Sequence, residues 1–551
     1  MHSSRLIWLI LLGVFVSNYT WTQTNIEWAT KSKSHEYYAF ERDLPAKNGW
    51  FATLGSYEAY NRKEVTVYNP ESFGNTKTYN LTSGKKKDKD FYWTGAASIG
   101  GDIFKYDVYF NEAKQESSVV LESITNDRPD FVINPLPNPK GKDIVVNHAA
   151  ISPNFKYSVV YTSSVMGKKV REHLQKIPYL GIAFAYFKKR EPIFYERTNT
   201  YTVFDSNGDI AWTKTFTMGE GDTACYITKV AINDMGTVFI HATASPLRNH
   251  YFDIKNKSVG ALRKVEFRAD RIYSMRKNET KPIRLDYSKK DTDEYVFSET
   301  NERFFFSGNE YLRVALVQTR KRMDGPLNLT EESLFGGFVV NNLNNPKVPS
   351  IYIPVGLFDL QQSISKKETR KLDKGDAIGI GVPVVRGIHL SSKEGVYLFI
   401  EITDFDILLG SRHEYSFENL IILNSSFTGK VNWSELIPQK QEIWKAEPNV
   451  GGYHAIKSGD SFLVIQNNTK DGEIWKGETS NDEVWVRKFN GKAEVVKDYR
   501  FEAGKNPICP RRSFFNIDGE LILIGDKPIG EVYIGYHAKK ESTCVGRITL
   551  K

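Results

Sequence analysis

Six basic or protonatable residues recur at one place in a repeated pattern: His148, Lys229, Arg303, His389, His454 and Arg512. Each stands shortly before a tight turn between two apolar stretches. His148, Lys229, Arg303 and Arg512 lie three positions before the last residue ahead of the turn, His454 two and His389 one. Equivalent positions of a closed repeat gather in space, and like charges held together gain from an anion between them. The chemistry expected of this set is capture of a carboxylate, sulfate or phosphate. The competing reading pairs each cation with its own acidic loop and makes His389 and His454 partly buried structural histidines.

Other candidate chemistry is thinner. The chain has no Walker loop, HExxH, CxxC or G-x-S-x-G, and no S-x-D-x-G-x-x-W box. Asp205-Ser206-Asn207-Gly208-Asp209 spaces oxygen ligands as a calcium loop does, but Phe216 stands where that loop needs its glutamate. A hairpin turn accounts for the same residues, and neither a metal nor a cofactor is expected. Glu401, Asp404 and Asp406 form an acidic group that could do acid–base work if buried together. The simpler reading is a solvated strand edge.

The elements that must position these residues are repeated hairpins. VAINDMGTVFIHATAS (230–245) reads strand, Asn/Gly turn, strand. AAISPNFKYSVVYTSS (149–164), FFFSGNEYLRVALVQT (304–319), IHLSSKEGVYLFIEIT (388–403), HAIKSGDSFLVIQNNT (454–469) and SFFNIDGELILIGDK (513–527) repeat it, and AASIGGDIFKYDVYF (96–110) is a weaker copy. The last residues before the turns are Ser98, Ile151, Ile232, Phe306, Leu390, Ile456 and Phe515, separated by 53 to 84 residues. A solenoid needs a near-constant period; a propeller tolerates varied loops between blades. A second hairpin unit recurs between the first: 201–216, 419–437 and 484–501. Two hairpins per period make four antiparallel strands. The expected fold is therefore all-β, a β-propeller of about seven four-stranded blades, with six or eight also compatible with the pattern. In it, 201–216 supplies the outer strands of one blade and the strand ending at Ile232 is the innermost of the next. EVYIGYHA (531–538) and CVGRITL (544–550) are expected as the outer strands of the last blade, while the stretch after Gln23, including 50–60, starts the first blade or completes the last.

Domain organisation follows. Arg5 precedes an apolar run from Leu6 to Val16, too short to span a bilayer but suited to a signal peptide, with Thr20 and Thr22 small enough for cleavage. Residues 1–22 are read as that signal and 23–551 as one propeller, with an insertion at 165–192 where a blade's second and third strands join. The insertion's apolar centre lies between Lys168–Lys169 and Lys188–Arg190, which marks it as an element for partner contact. The expected location is secreted, periplasmic or extracellular, and no transmembrane segment is expected. The net charge of +8 is mild for 551 residues, and the lysine run 85–89 reads as a solvated loop, so nucleic acid is not an expected partner. Three cysteines, Cys225, Cys509 and Cys544, leave at least one unpaired within the chain, and Cys509 could meet Cys544 in the last repeat.

The copies AAISPNFKYSVVY and VAINDMGTVFIHA, with outer hairpins such as VFDSNGDIAW, resemble uncharacterised secreted bacterial β-propeller proteins. The resemblance covers most of the chain after the signal and implies the fold. Its motifs are structural, so it transfers no functional residue. The function expected from the repeat, the signal and the missing catalytic motifs is that of a non-enzymatic binding or scaffolding propeller, monomeric, taking a protein, glycan or other anionic ligand at its channel mouth. The rival expectation is a propeller hydrolase or lyase acting on an extracellular glycan or other polymer.

Overall fold

A computed structural model of the chain describes its strands and tight turns between residues 26 and 550. Residues 1–25 and the longer connections, among them 166–196, 247–268, 320–334, 356–381, 469–481, 505–513 and 530–539, lie outside the described residues. The insertion, its charged flanks, the lysine run, EVYIGYHA and Cys509 fall there. Every described regular element is a strand.

The strands form eight antiparallel sheets of at least four strands, which are the blades of a β-propeller. The number favoured by the repeat was seven. The additional blade is the first, built from Tyr38–Pro45, Phe51–Tyr57, Arg62–Tyr68 and Thr76–Thr82. Its inner strand carries Glu41, Arg42 and Asp43 in succession, which hides the apolar pattern of the other copies. The innermost strands of blades 2 to 8 are Phe91–Ile99, Val145–Ile151, Thr223–Ile232, Arg303–Ser307, Val382–Ser391, Tyr453–Ser458 and Phe514–Phe515. The second hairpin units supply outer strands, as in Arg197–Asp205 and Ile210–Thr217 of blade 3.

The last blade departs from expectation. CVGRITL belongs to its third strand, Lys540–Ile548, and the fourth comes from the other end of the chain. Glu27–Trp28 pairs with Gly546 and Arg547, and the Arg547 guanidinium grips the Glu27 carboxylate at 2.6 Å. Joining the two ends in one sheet closes the ring without leaving that edge open.

Each blade buries its faces against its neighbours. Val65, Val67 and Leu54 of blade 1 meet Ala96 and Ile103 of blade 2. Val159, Tyr161 and Val203 of blade 3 meet Ile232, Val238 and Ile240 of blade 4. Leu312, Val314 and Phe338 of blade 5 meet Leu398, Ile400 and Ile421 of blade 6. The ring closes where Phe51, Tyr68 and Phe73 of blade 1 meet Ile522 and Val545 of blade 8. Burying one such side chain stabilises the fold by about 1.5–3 kcal/mol, so the apolar layers between blades hold the ring.

Turns set the register inside each blade. Gly100 and Gly101, with φ of 57° and 84°, form a two-residue turn between the first strands of blade 2, a conformation side chains disfavour. In blade 3 the Asp205 carboxylate accepts from the Asn207 and Asp209 amides at 2.8 and 3.1 Å. The acidic residues there shape a hairpin turn.

Candidate channel site

The ladders define which residues share a level around the axis. In four blades the innermost strand bulges at the same place: between Phe40 and Arg42, Val146 and His148, Ile227 and Lys229, and Val385 and Gly387. A bulge bends its strand and re-aims the next side chain. The residue after each bulge lies four positions before the one that opens the hairpin turn. In the tight hairpins of blades 2, 5 and 7 that position is Gly95, Arg303 and His454. One level of the inner strands thus holds Arg42, Gly95, His148, Lys229, Arg303, Gly387 and His454, one from each of the first seven blades. Arg512, three residues before Phe515 in the sequence, lies outside the described residues.

Four of the six sequence candidates are therefore placed on one level by strand pairing: His148, Lys229, Arg303 and His454. His454 belongs there because the turn of its blade is short, so Lys457 and not Ile456 is the counterpart of Phe306. Its neighbour Tyr453 is buried while His454 is half-buried.

His389 does not share this level. It stands two residues nearer the turn, is only 8% exposed, and lies between three blades. Its Nδ1 is 3.2 Å from Ser307 Oγ of blade 5, and its ring meets Phe462 of blade 7 edge-on. Ser307 also accepts from the Leu390 amide at 2.7 Å, so this histidine is part of a joint between blades. The level position in its blade belongs to Gly387. Sequence reasoning missed Arg42, hidden in the unrecognised first blade, and Arg386, the bulge residue beside Gly387.

The electrostatics of consecutive blades are coupled. Lys229 and Arg303 are exposed side chains, yet protein walls around them remove enough water to lower both pKa values. The next cause for Lys229 is repulsion from Arg303, and for Arg303 it is repulsion from Arg386. No acid pairs with Lys229 or Arg303 among the described residues. Arg386 differs, because its guanidinium grips the buried Glu401 carboxylate at 2.5–2.6 Å through two nitrogens.

Glu401 is thus a buried counter-ion and not part of a solvated acidic edge. Asp404 and Asp406 lie further along the same strand, opposite Ser416 and Glu414, and share a face by strand alternation. Behind Lys229, its register partner His241 is buried, with Nε2 2.7 Å from the Tyr311 hydroxyl of blade 5. Burial first, and Lys229 second, lower the His241 pKa to about 3, which keeps its ring neutral.

No protein-family model matches the chain, and no curated protein matches it. Solved structures similar to it include the polysaccharide lyase Uly1, at 10% identity and a TM-score of 0.32, covering 85% of this chain and 94% of that one. An apocarotenoid oxygenase mutant of Synechocystis aligns at 10% identity and a TM-score of 0.31, covering 87% and 92%. Prolyl oligopeptidase B of Galerina marginata aligns at 7% identity and a TM-score of 0.35, covering 90% and 55%. These proteins differ in activity, and the likeness carries none of it to this chain. The strand order and register define the chain as an eight-bladed β-propeller with a basic level on its inner strands.

Proposed function

We propose that this chain is a non-enzymatic, exported binding propeller that takes an anionic ligand at the basic level of its inner strands. Lys229 and Arg303 are the residues that contact the anion. His148, His454 and Arg42 extend the level, and Arg512 belongs to it by sequence position. The observation that carries the reading is the pair Lys229 and Arg303. They come from consecutive blades, occupy one register position and repel each other, with no acid pairing them among the described residues. Two desolvated like charges side by side are relieved by an anion placed between them. Export rests on the apolar run Leu6–Val16 behind Arg5, and residues 1–22 are proposed to be removed.

Calorimetric titration with tripolyphosphate at low salt tests the reading. Saturable binding is expected, weakening as salt rises, because partly exposed charges are screened. Absence of binding at low salt and pH 6 overturns the proposal. Robust turnover of glycoside, ester or peptide substrates by the purified protein would replace the binder with the hydrolase or lyase.

A further inference from the structure

We infer that the end of the propeller carrying the hairpin turns docks on an anionic lipid surface, through apolar side chains at the turn tips of blades 4 to 7 and the lysines beside them. In each of these blades four consecutive strands pair antiparallel in chain order, so the turn after the first strand and the turn after the third emerge at one end. Neighbouring blades meet at that end. The Phe239 and Tyr311 rings, near the starts of the second strands of blades 4 and 5, lie 4.7 Å apart. Ser307 and Leu390 join the inner turns of blades 5 and 6, and the Tyr397 hydroxyl of blade 6 stands 2.7 Å from the Gly491 carbonyl in the outer turn of blade 7. The turns of half the ring therefore form one surface. The basic level lies four residues back along the inner strands, about 13 Å at the usual rise of a strand, so this surface is separate from the channel site and does not rest on it.

Turn tips ordinarily take polar residues. Here Met235 stands in the inner turn of blade 4 and Ile283 opens that blade's outermost strand. Val348 and Phe427 stand in the outer turns of blades 5 and 6, and Val495 and Val496 open the outermost strand of blade 7. These six side chains are 46–59% exposed. Polar groups shape the turns without them. The Asn233 side chain accepts from the Met235 and Thr237 amides at 3.1 and 2.9 Å, the Ser426 hydroxyl from the Lys430 amide at 3.1 Å, and the Asn490 side chain from the Lys492 and Glu494 amides at 2.9 and 3.0 Å. The middles of the outermost strands show the usual choice for an exposed position, with Thr213 and Thr215 in blade 3 and Asn432 and Glu435 in blade 6. The apolar tips thus serve neither the turns nor the core.

Charge decides what these tips meet. Each has an exposed lysine close by: Lys281 before Ile283, Lys347 before Val348, Lys430 after Phe427 and Lys492 before Val495. No acid pairs with these four lysines among the described residues. The acids of the same turns are engaged locally. Glu279 accepts from the Arg276 amide at 2.8 Å, Glu394 from the Tyr397 hydroxyl at 2.6 Å and Glu494 from the Asn490 side chain at 2.7 Å. An apolar tip beside an ammonium group fits a bilayer interface, where the acyl region takes the first and headgroup phosphates the second. A protein partner calls for something else, a cluster of aromatics gathered into one desolvated centre. Here each blade brings its own tip, set apart by the polar residues of its turn. A fluid, flat and negatively charged surface accepts such separate insertions across four blades.

Binding to vesicles is the test. The protein is used in its proposed exported form, without residues 1–22, which supply no described strand and whose apolar run would itself enter lipid. Co-sedimentation is measured with vesicles of phosphatidylcholine alone and of phosphatidylcholine mixed with phosphatidylglycerol. Binding should be at least about tenfold tighter to the mixed vesicles, because each lysine near an anionic surface adds to the attraction. Val348→Ser with Phe427→Ser should weaken it about tenfold, while the melting curve and the tripolyphosphate titration stay unchanged. Lys347→Ala with Lys430→Ala should weaken binding to the mixed vesicles and leave binding to phosphatidylcholine as it was. In Phe427→Trp the fluorescence should shift to shorter wavelength on mixed vesicles by more than in the unaltered protein, as an indole entering lipid does. Equal binding to both kinds of vesicle, no binding, or an unshifted indole overturns the inference. So does a dimer of the unaltered protein that Val348→Ser with Phe427→Ser dissociates while vesicle binding persists, which would give this surface to a second copy of the chain. The comparison of vesicles uses unaltered side chains, so it holds even if a variant fails to fold.

Discussion

Arg303 and Arg313 lie on paired strands of blade 5, one register step apart and so on opposite faces of the sheet, and the protein treats them in opposite ways. Arg313 is 1% exposed, donates to the Asn341 side chain at 2.9 Å and is paired with Glu302. Arg303 is exposed and has as its strongest charged influence another cation, Arg386. Glu302 is adjacent to Arg303 in sequence but its carboxylate is turned to Arg313. Blade 6 repeats the first arrangement with Arg386 and Glu401. The comparison teaches that residue type alone does not mark a ligand site. An arginine whose charge is matched by a buried carboxylate belongs to its blade; one on an inner strand with no carboxylate partner among the described residues is the kind the proposed site uses.

The contrast can be broken from the buried side first. Replacing Arg313 by Met leaves Glu302 and Asn341 without their shared donor, and removing one partner of a buried pair costs about 3–5 kcal/mol. Chemical denaturation should show the loss, with anion affinity changed little in whatever protein still folds. Glu401→Gln is expected to cost somewhat less, about 2–3 kcal/mol, since Arg386 is partly exposed and the amide oxygen still accepts a hydrogen bond. It also frees a positive charge next to Arg303, so anion affinity should rise while stability falls. A variant in which both fall would show that Arg386 does not reach the level.

His241 gives an effect that depends on pH. Its native pKa of about 3 lies below the unfolded value near 6.5. Between those limits the unfolded chain binds a proton that the native protein refuses, so stability rises with pH. The contribution is complete above about pH 6.5 and is lost progressively as pH falls toward 3, up to on the order of 4 kcal/mol. Melting curves of the protein and of His241→Phe between pH 7 and pH 4 check this. The variant's curve should be flatter with pH over that range, and equal slopes would contradict the buried neutral ring.

Much of this arrangement was legible in the sequence. Hairpins such as 230–245 announce themselves because an apolar strand on each side of an Asn/Gly turn has few other solutions. The stretch after Gln23 was expected to start the first blade or to complete the last, and it does both. The inner strand of the first blade was not legible, because Glu41, Arg42 and Asp43 break its apolar run, and the closing residues could not be singled out, since Glu27–Trp28 is two residues long and pairs with a strand more than five hundred residues away. The site was half legible. The basic residues recur visibly, but their level depends on turn length and on bulges, which spacing does not reveal. That is why His389 looked like a member and Gly387 did not, and why His454 appeared one residue out of step.

The smallest expected effect on stability belongs to the residues proposed to hold the anion. Lys229→Ala with Arg303→Ala should shift the unfolding free energy by no more than about 0.5 kcal/mol per site, as exposed charges usually do. The decisive measurement is calorimetric titration of tripolyphosphate into this double variant, beside a control in which the exposed Lys347 and Lys492 are replaced by Ala. The two variants carry the same net charge. Loss of binding in the first and near-native affinity in the second is the result expected if the inner-strand level holds the anion. Equal, small losses in both would mean that the ligand responds only to overall charge, and would contradict the site.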